Sequence, residues 1–494
     1  RPPMARRPPP PRPVGGASSG SRSGAADGEA QRRFFASCAG GLEQVLAGEL
    51  MDLGAQDVQR ISRGVYFRGT PRVGCRALVC ARTAAAVDEI LAEADRPLAH
   101  REALYELARG AQDWAASVPP EETLCVQAIV ATRDVAQDLR HTHYSALTVC
   151  KAVTDACRDA TGVRPSVDLD LPDWMLHVVL HKGGATLARR WSGRRGLHRR
   201  GYRSGVKMHK AALRETSAAG LLLLAGVRSG EPLCLLDPMC GSGTFVLEAA
   251  MIASSVSPGV VREALIGPRH WHAVPSEFRS LLEEELDLAR AKGQSLEASC
   301  LRLRGSDAHA GALALARRCI AALDLAAPGV GRAVSFELRD AAEVQPDMDM
   351  PRTLLCCNPP WGARLGGSEE AQGAEEESVE DWPADGHEVA RESWRSLAGL
   401  LRRCGGDAWL LCPAGISEEF QKELAAADAW PTRAQRRHRV DGGPRQTATQ
   451  GALGLDWLHF GGRKARVPTS PGLASRGRQS VTQGGGAEGC RSES

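Results

Sequence analysis

Paired metal-binding cysteines are missing from this chain, although it contains 15 cysteines. No two of them have the Cys-x-x-Cys spacing, and no His/Cys cluster has the spacing of a zinc site. A run of about 18 apolar residues, the minimum for a membrane-spanning helix, is missing as well. We therefore predict reduced core cysteines in an intracellular protein, with no metal site and no membrane partner.

A strong excess of one charge is also lacking, since 62 Lys and Arg against 59 Asp and Glu give a net charge of only +3. Affinity for a nucleic acid must then come from a local basic patch. Residues 189–214 supply one, with ten Lys or Arg and no acid. Such a stripe neutralises phosphates without reading sequence, although a solvated linker can have the same composition. The candidate RNA-binding residues are Arg194, Arg195, Arg199, Arg200 and Arg203.

Both ends of the chain have compositions that cannot build a core. Residues 1–31 carry Pro, Arg, Gly and Ser with no acid before Asp27, and residues 463–494 are rich in Gly, Ser and Arg. We predict that both are disordered. The leader is equally typical of an organelle transit peptide. The expected location is the cytoplasm or, with such a leader, a plastid or mitochondrion.

The first half of the chain predicts two small α+β modules by its apolar periodicity. The predicted strands are 33–38, 65–68, 123–130 and 174–181, and the predicted helices are 41–50, 76–92 and 144–160.

Residues 235–244 (LLDPMCGSGT) predict a buried strand, a tight Gly-x-Gly turn and the start of a helix. This is the first unit of a doubly wound α/β sheet, whose ligand lies at the carboxyl ends of the strands. A Walker A loop is excluded because no Lys precedes the Ser/Thr, and a dinucleotide fingerprint is excluded because its third glycine is Val246. The remaining interpretation is an S-adenosylmethionine site, in which Gly241 and Gly243 let the backbone approach the ligand.

An acid ends each of three successive predicted strands. Asp237 is suited to orient the ammonium of the cofactor's amino acid end. Asp307 can accept both ribose hydroxyls, and Asp340 can accept from the adenine amino group. Each acid alone could instead be a helix N-cap, but three at successive strand ends favour a nucleoside ligand.

A fourth predicted strand ends at residues 358–361 (NPPW), the candidate reactive loop. The amide oxygen of Asn358 and the carbonyl of Pro359 can hold the two hydrogens of an exocyclic base amine and aim its nitrogen at a methyl sulfonium. Pro360 fixes the loop, and Trp361 can stack on an unpaired base. The loop would serve guanine N2, adenine N6 or cytosine N4, and a simple Pro-Pro turn is the alternative.

Several motifs together resemble the THUMP-containing guanine-N2 RNA methyltransferases, most of all the amino-terminal half of the bacterial 23S ribosomal RNA members. The motifs are FFAS at 34–37, RPSVD at 164–168, LHRRGYR at 197–203, LDPMCGSGT at 236–244 and NPPWGARL at 358–365. The resemblance implies an α/β, class I (Rossmann-like) methyltransferase domain behind an α+β ferredoxin-like and THUMP RNA-binding region. It also implies cofactor contacts from Asp237, Pro238, Cys240, Gly241, Gly243, Asp307, Asp340 and Asn358, and a guanine-holding loop of Asn358, Pro359, Pro360 and Trp361.

The expected function is methyl transfer from S-adenosylmethionine to guanine N2 in large-subunit ribosomal RNA. One alternative is a transfer-RNA guanine-N2 methyltransferase, since related single-domain enzymes act on transfer RNA. Another is a catalytically silent RNA-binding protein, against which the intact cofactor acids argue. Whether a small activating subunit takes part is not determined by the sequence. The predicted boundaries are a leader at 1–31, the ferredoxin-like and THUMP region at 32–188, a basic linker at 189–214, the methyltransferase domain at 215–462 and a tail at 463–494.

Overall fold

The computed structural model describes two β-sheets, one in each half of the chain. The described residues are 30–132, 134–205, 212–293, 301–346, 353–360, 386–404, 407–413, 417–426, 436–441 and 454–460. Nearly all of the predicted leader and the whole predicted tail lie outside them, as does Trp361.

The first half contributes an eight-stranded sheet, in which both predicted modules take part. Its elements are β1 Arg32–Ser37, α1 Glu43–Asp52, β2 Gln56–Ile61, β3 Gly64–Gly69, α2 Pro71–Cys80, β4 Ala86–Ala94, α3 Arg101–Arg109, α4 Trp114–Ser117, β5 Thr123–Val130, α5 Thr142–Thr161, β6 Ser166–Val167, β7 Trp174–His181 and β8 Gly184–Arg190.

The order of this sheet is β2-β3-β1-β4-β8-β7-β5-β6, and the two modules join where β4 pairs with β8. The prediction of one helix over 76–92 is wrong in its second part, because α2 ends at Cys80 and residues 86–94 form β4. The first four residues of β4 are all buried. A central strand covered on both faces loses the apolar/polar alternation that identifies a strand in a sequence.

The second half contributes a seven-stranded sheet flanked by helices. Its elements are α6 Glu215–Leu224, β9 Leu233–Asp237, α7 Thr244–Ala253, α8 Pro258–Ile266, α9 Arg279–Lys292, β10 Leu301–Asp307, α10 Ala310–Ala326, β11 Val334–Leu338, β12 Thr353–Cys357, α11 Gly386–Cys404, β13 Asp407–Pro413, α12 Ser417–Ala426, β14 Arg436–Asp441 and β15 Gly454–Phe460.

The order of the second sheet is β11-β10-β9-β12-β13-β15-β14. Strands β9 to β13 are parallel, and β14 and β15 close the sheet as antiparallel strands. Every residue of β9 is buried, as expected of a parallel strand with helices over both faces. The strand order reverses at β9, and ligands of such sheets bind at this switch point, beyond the carboxyl ends of the strands. The predicted α/β domain behind an α+β region is confirmed.

One hydrophobic core joins the first sheet to the second. It contains Phe34 and Leu78 from the first half together with Leu235 and Met251 from the second. The contact between α2 and α8 is close enough that a Cβ on Gly259 would lie 2.6 Å from the Cα of Val79. A separate core is enclosed by β5, β7, α3 and α5. The ferredoxin-like part is therefore packed with the second sheet as one body.

Candidate active site

The carboxyl ends of the parallel strands gather the predicted cofactor acids and the reactive asparagine at one edge of the second sheet. Asp237 ends β9, Asp307 ends β10, Asp340 follows β11 and Asn358 follows β12. β9 lies between β10 and β12 in the sheet. The predictions drawn from four separate stretches of sequence therefore converge on neighbouring strand ends.

The glycine turn between β9 and α7 is held by hydrogen bonds from its backbone N–H groups. The N–H of Gly241 donates to Asp307 Oδ2 at 2.9 Å, and the N–H of Cys240 donates to the Ser306 carbonyl at 2.9 Å. Gly243 has φ +78°, and a Cβ there would lie 2.7 Å from Cζ of Phe336. The position therefore requires glycine both for its left-handed backbone and for the close approach of β11.

Asp237 is 3% exposed, and among the described residues its carboxyl has one weak hydrogen bond, a 3.4 Å contact from the Met239 N–H to its Oδ1. Burial raises the pKa of this carboxyl well above its usual range, and the nearby Asp307 carboxylate raises it further. A buried carboxyl with so little compensation favours a cationic partner. The ammonium of an amino acid moiety would meet that requirement, so the site fits the predicted cofactor.

Burial also raises the pKa of the Cys240 thiol, and the charges of Asp237 and Asp307 add to the effect. Cys240 is therefore a neutral thiol that packs in the turn, and it is unsuited to act as a nucleophile.

The two remaining acids differ in how they are held. Asp307 accepts from two N–H groups, those of Gly241 and His309, each at 2.9 Å. A carboxylate has about four acceptor positions, which leaves capacity for ribose hydroxyls. Asp340 is exposed, and its Oδ1 accepts from the Ala342 N–H at 2.7 Å. Asp340 thus caps a short helical turn, as the N-cap alternative to cofactor binding predicted. Its second carboxylate oxygen can still accept a hydrogen bond from a ligand.

Asn358 is the residue whose environment points most directly to chemistry. It is the only asparagine of the chain. Its Oδ1 atom is buried and has no hydrogen-bond partner among the described residues. An unsatisfied buried acceptor of this kind costs about 1–3 kcal/mol, and at a strand end it indicates an absent donor. The next residues are held in place, since the Trp394 indole N–H donates to the Pro360 carbonyl at 2.8 Å.

The basic stripe divides into outward and inward residues. We call residues 191–205, which follow β8, the connecting segment. Arg194, Arg195 and Arg199 are exposed on it. Arg200 is 0% exposed, and Arg203 keeps 12% of its side chain exposed. The prediction that Arg200 and Arg203 bind RNA is corrected, because both guanidinium groups lie inside the protein and contact internal partners.

Their partners were not identified from the sequence. Arg200 lies 3.4 Å from Glu248 of α7, which is 0% exposed, and the Tyr202 hydroxyl donates to the same carboxylate at 2.9 Å. Arg203 donates to hydroxyls of the glycine turn. The available signal was Glu248 itself, the single charge in the helix sequence TFVLEAAMIA, because an unpaired charge in a buried helix requires a partner.

Metal and membrane sites can be assessed over the described ranges only. No group of three His, Cys, Asp or Glu side chains there could hold a metal ion. No single described helix is long and apolar enough to span a membrane. The helices α7 and α8 reach that length and composition only as a pair, and the chain bends by 116° between them.

Three domain families match the chain in succession. They are the RlmL ferredoxin-like domain at residues 33–87, the THUMP domain at 99–189 and the RMKL-like methyltransferase domain at 200–375. The ribosomal RNA large subunit methyltransferase K/L of Cellvibrio japonicus (strain Ueda107) is 34% identical over 338 residues. The alignment covers 68% of this chain and 43% of that relative. The chain thus spans less than half the length of the relative.

Solved structures share the whole architecture. A possible methylase from Clostridium difficile 630 superposes with a TM-score of 0.69 at 21% identity, covering 88% of this chain and 99% of that one. SMU.472, solved in complex with SAH, gives a TM-score of 0.66 at 20% identity, and the superposition covers 88% of this chain and 99% of that one. At 20–21% sequence identity, these superpositions show that the fold is shared and do not by themselves show a shared function. The predicted succession of ferredoxin-like, THUMP and Rossmann-like methyltransferase domains is confirmed.

Proposed function

Since the chain carries an RlmL ferredoxin-like domain, a THUMP domain and an RMKL-like methyltransferase domain in series, we propose that it is an RNA methyltransferase. It transfers a methyl group from S-adenosylmethionine to the exocyclic N2 amine of a guanine in large-subunit ribosomal RNA. The observation that carries the proposal is the buried Oδ1 of Asn358, which has no hydrogen-bond partner among the residues that the structure describes. That atom lies in a loop beyond the end of β12, and β12 pairs with the strand that leads into the glycine turn.

The cofactor would be held by the acids at the strand ends and by the turn. Asp237 offers a buried carboxyl to the ammonium, Asp307 offers acceptors to the ribose, and Asp340 offers one to the adenine amine. Pro238, Cys240, Gly241 and Gly243 shape the turn around it. When bound, S-adenosylmethionine supplies an electrophilic methyl group on a sulfonium.

The chain's own contribution is to place the nucleophile. A base amine is a poor nucleophile because its lone pair is delocalised into the ring. With its two hydrogens on the Asn358 Oδ1 and the Pro359 carbonyl, the nitrogen is oriented for attack on the methyl carbon. As the nitrogen–carbon bond forms, the carbon–sulfur bond breaks and S-adenosylhomocysteine leaves. The amine becomes acidic in the same step, so its proton can pass to water without a strong base.

Three further points support the substrate assignment. The THUMP domain match and the exposed arginines of the connecting segment favour RNA as the substrate. The name of the K/L relative specifies ribosomal RNA of the large subunit.

The alternatives are less well supported. Transfer RNA is the second candidate substrate, and guanine N2 is preferred to adenine N6 or cytosine N4 by family resemblance. A silent RNA-binding protein is disfavoured because it would have no use for the strand-end acids or for an Asn358 amide oxygen that is buried without a partner among the described residues.

Asn358→Ala should lower kcat for methyl transfer by about 100-fold and affect cofactor affinity far less, because the acids at the other strand ends and the glycine turn remain. The acceptor acts on the nucleophile, so its loss lowers kcat rather than substrate affinity. Asn358→Asp is the matched control, because it keeps an acceptor oxygen at the same position and should retain more activity than the alanine variant.

The product decides the base. Digestion of methylated RNA to nucleosides and mass spectrometry should find N2-methylguanosine. N6-methyladenosine would overturn the base identity, and a methyl on a ring carbon or a ribose would overturn the mechanism. Transfer to ribosomal RNA fragments and to transfer RNA should be compared in the same assay, since faster transfer to transfer RNA would favour the second candidate.

A further inference from the structure

We infer that Arg203 is a positioning residue for the glycine turn of the cofactor site, and that through it the connecting segment sets cofactor affinity. The inference deepens the proposed function and rests on it, since the turn is the one that would hold S-adenosylmethionine.

The guanidinium of Arg203 contacts both sides of the turn's second glycine. It donates to Ser242 Oγ at 3.4 Å and to the hydroxyl of Thr244. It also donates to the Leu213 carbonyl at 2.9 Å, just before α6. A single side chain thus connects the residues on either side of Gly243 to a fixed point outside the turn.

Backbone N–H groups of Cys240, Gly241 and Gly243 hold the main chain of the turn, and Arg203 adds contacts to the side chains of Ser242 and Thr244. Gly241 and Gly243 both have positive φ, +54° and +78°, and neither has a side chain to pack. Glycine loses more conformational freedom on ordering than any other residue. A turn that is already ordered binds its ligand without that cost. The contacts of Ser242 and Thr244 with Arg203 therefore pre-organise the backbone that meets the cofactor.

The charge of Arg203 argues against a purely space-filling role. Thr244 is the first residue of α7, and a cation beside a helix N-terminus is disfavoured by the helix dipole. The protein compensates with Glu215, whose carboxylate lies 3.5 Å from the guanidinium and is buried. An apolar side chain would fill the space without this conflict. It could not donate to the two hydroxyls.

The connecting segment also contacts α7 one helical turn further along. Arg200 and Tyr202 bind Glu248, four residues after Thr244. Arg199, in contrast, is exposed. The segment therefore presents its RNA-facing arginines outward and its turn-holding residues inward, which allows the two roles to be separated by mutation.

The test is calorimetric binding of S-adenosylhomocysteine to the full chain and its variants, well below their melting temperatures. Arg203→Gln should weaken binding about tenfold, the loss of one charge-assisted hydrogen bond, and leave RNA affinity unchanged. Arg203→Lys keeps a cation for Glu215 and should recover part of the affinity. If the glutamine variant does not fold, the lysine variant still tests whether the guanidinium contacts set cofactor affinity.

Two control variants separate cofactor binding from RNA binding. Arg199→Gln should show the reverse pattern, with weaker RNA binding and normal cofactor affinity. Arg290→Gln, which removes an exposed arginine of α9, should change neither.

A double-mutant cycle distinguishes positioning from general stability. In a Thr244→Val background, Arg203→Lys should weaken S-adenosylhomocysteine binding much less than in the wild type, because the shared contact is already lost. Additive effects would overturn the inference, as would variants of Arg203 that bind S-adenosylhomocysteine normally but lose RNA affinity. Failure of the wild type itself to bind S-adenosylhomocysteine would instead overturn the proposed function.

Discussion

Asp237 shows at the scale of one residue how a binding site opposes stability. Its carboxyl is buried and contacted by one weak backbone donor, so the charged form is poorly solvated. Its pKa is raised well above the usual range because of burial first and the Asp307 charge second. A bound cationic ligand would offset the free-energy cost of burying this carboxylate.

Asp237→Asn should make the ligand-free protein more stable near neutral pH and weaken its cofactor binding. Between the ordinary aspartate pKa of about 3.9 and the raised native pKa, the unfolded chain has lost a proton that the folded protein retains. Folded protein then binds more protons than unfolded, so the free energy of unfolding falls as pH rises through this window. The asparagine variant lacks this proton and should have a flatter dependence.

Urea denaturation at a series of pH values would measure both curves. Saturating S-adenosylhomocysteine provides the control, because its ammonium pairs with the carboxylate and should reverse the order of stability in favour of the wild type. Identical pH dependence of wild type and variant in the absence of ligand would contradict the assignment.

Residues next to a regular element were predictable, and residues that depend on a distant partner were not. Asp237 and Asn358 follow short apolar runs, and the carboxyl ends of parallel strands must meet at one edge. Arg200 and Arg203 belong to a charge run whose pattern does not show which side chains turn inward. Their partners Glu248 and Thr244 lie over 40 residues away in the sequence, so burial became visible only in three dimensions.

The connecting segment is the element whose predicted role changes most once burial is known, since only three of its five candidate arginines remain available to RNA. Replacing Arg194, Arg195 and Arg199 together with Gln should weaken RNA binding. It should also reduce the slope of log affinity against log salt by about two to three. Arg194 donates to the Leu169 carbonyl and has a 3.6 Å contact with Asp170. The surface ion pair contributes little, and the side chain remains exposed.

Fluorescence anisotropy with a ribosomal RNA fragment at several salt concentrations would measure the slope. The control is an equal loss of charge on exposed helix surfaces of the second domain, with Arg290, Lys292 and Arg318 changed to Gln. An unchanged slope in the first variant would mean that the segment is a solvated linker.

Burial on both faces explains the one wrong element prediction in the first sheet, whereas the fully buried β9 was still identified because the glycine turn follows it. The helix predicted at 41–50 has a clear 3–4 apolar spacing, and α1 is found at Glu43–Asp52. Residues 86–92, predicted as helix, instead form part of β4 in the centre of the first sheet. Tertiary burial on both sides removed the alternation by which a strand is recognised.

At the scale of the whole molecule, the half that holds the ferredoxin-like and THUMP domains and the half that holds the methyltransferase domain are joined through a shared interior. The ferredoxin-like core is continuous with that of the second sheet. The connecting segment crosses the junction with a buried ion pair, in which Arg200 binds Glu248 and also donates to the Leu197 carbonyl at 2.9 Å. Under the proposed function, RNA held by the first half would then meet the site in a fixed orientation.

This junction predicts cooperative unfolding of the two parts. Glu248→Leu should destabilise the protein by about 3–5 kcal/mol, because it leaves the buried Arg200 charge without its partner. The double variant Arg200→Met, Glu248→Leu should be clearly more stable than Glu248→Leu alone, since no charge is then left unpaired. Asp287→Leu removes an acid from an exposed pair with Arg290 and should change stability by less than about 1 kcal/mol.

Urea denaturation of Glu248→Leu, followed by tryptophan fluorescence, should show the ferredoxin-like part and the methyltransferase domain unfolding together at a lowered midpoint. A variant in which the second domain alone unfolds earlier would show that the two parts are not one cooperative unit, and the fixed presentation of RNA to the site would lose its basis.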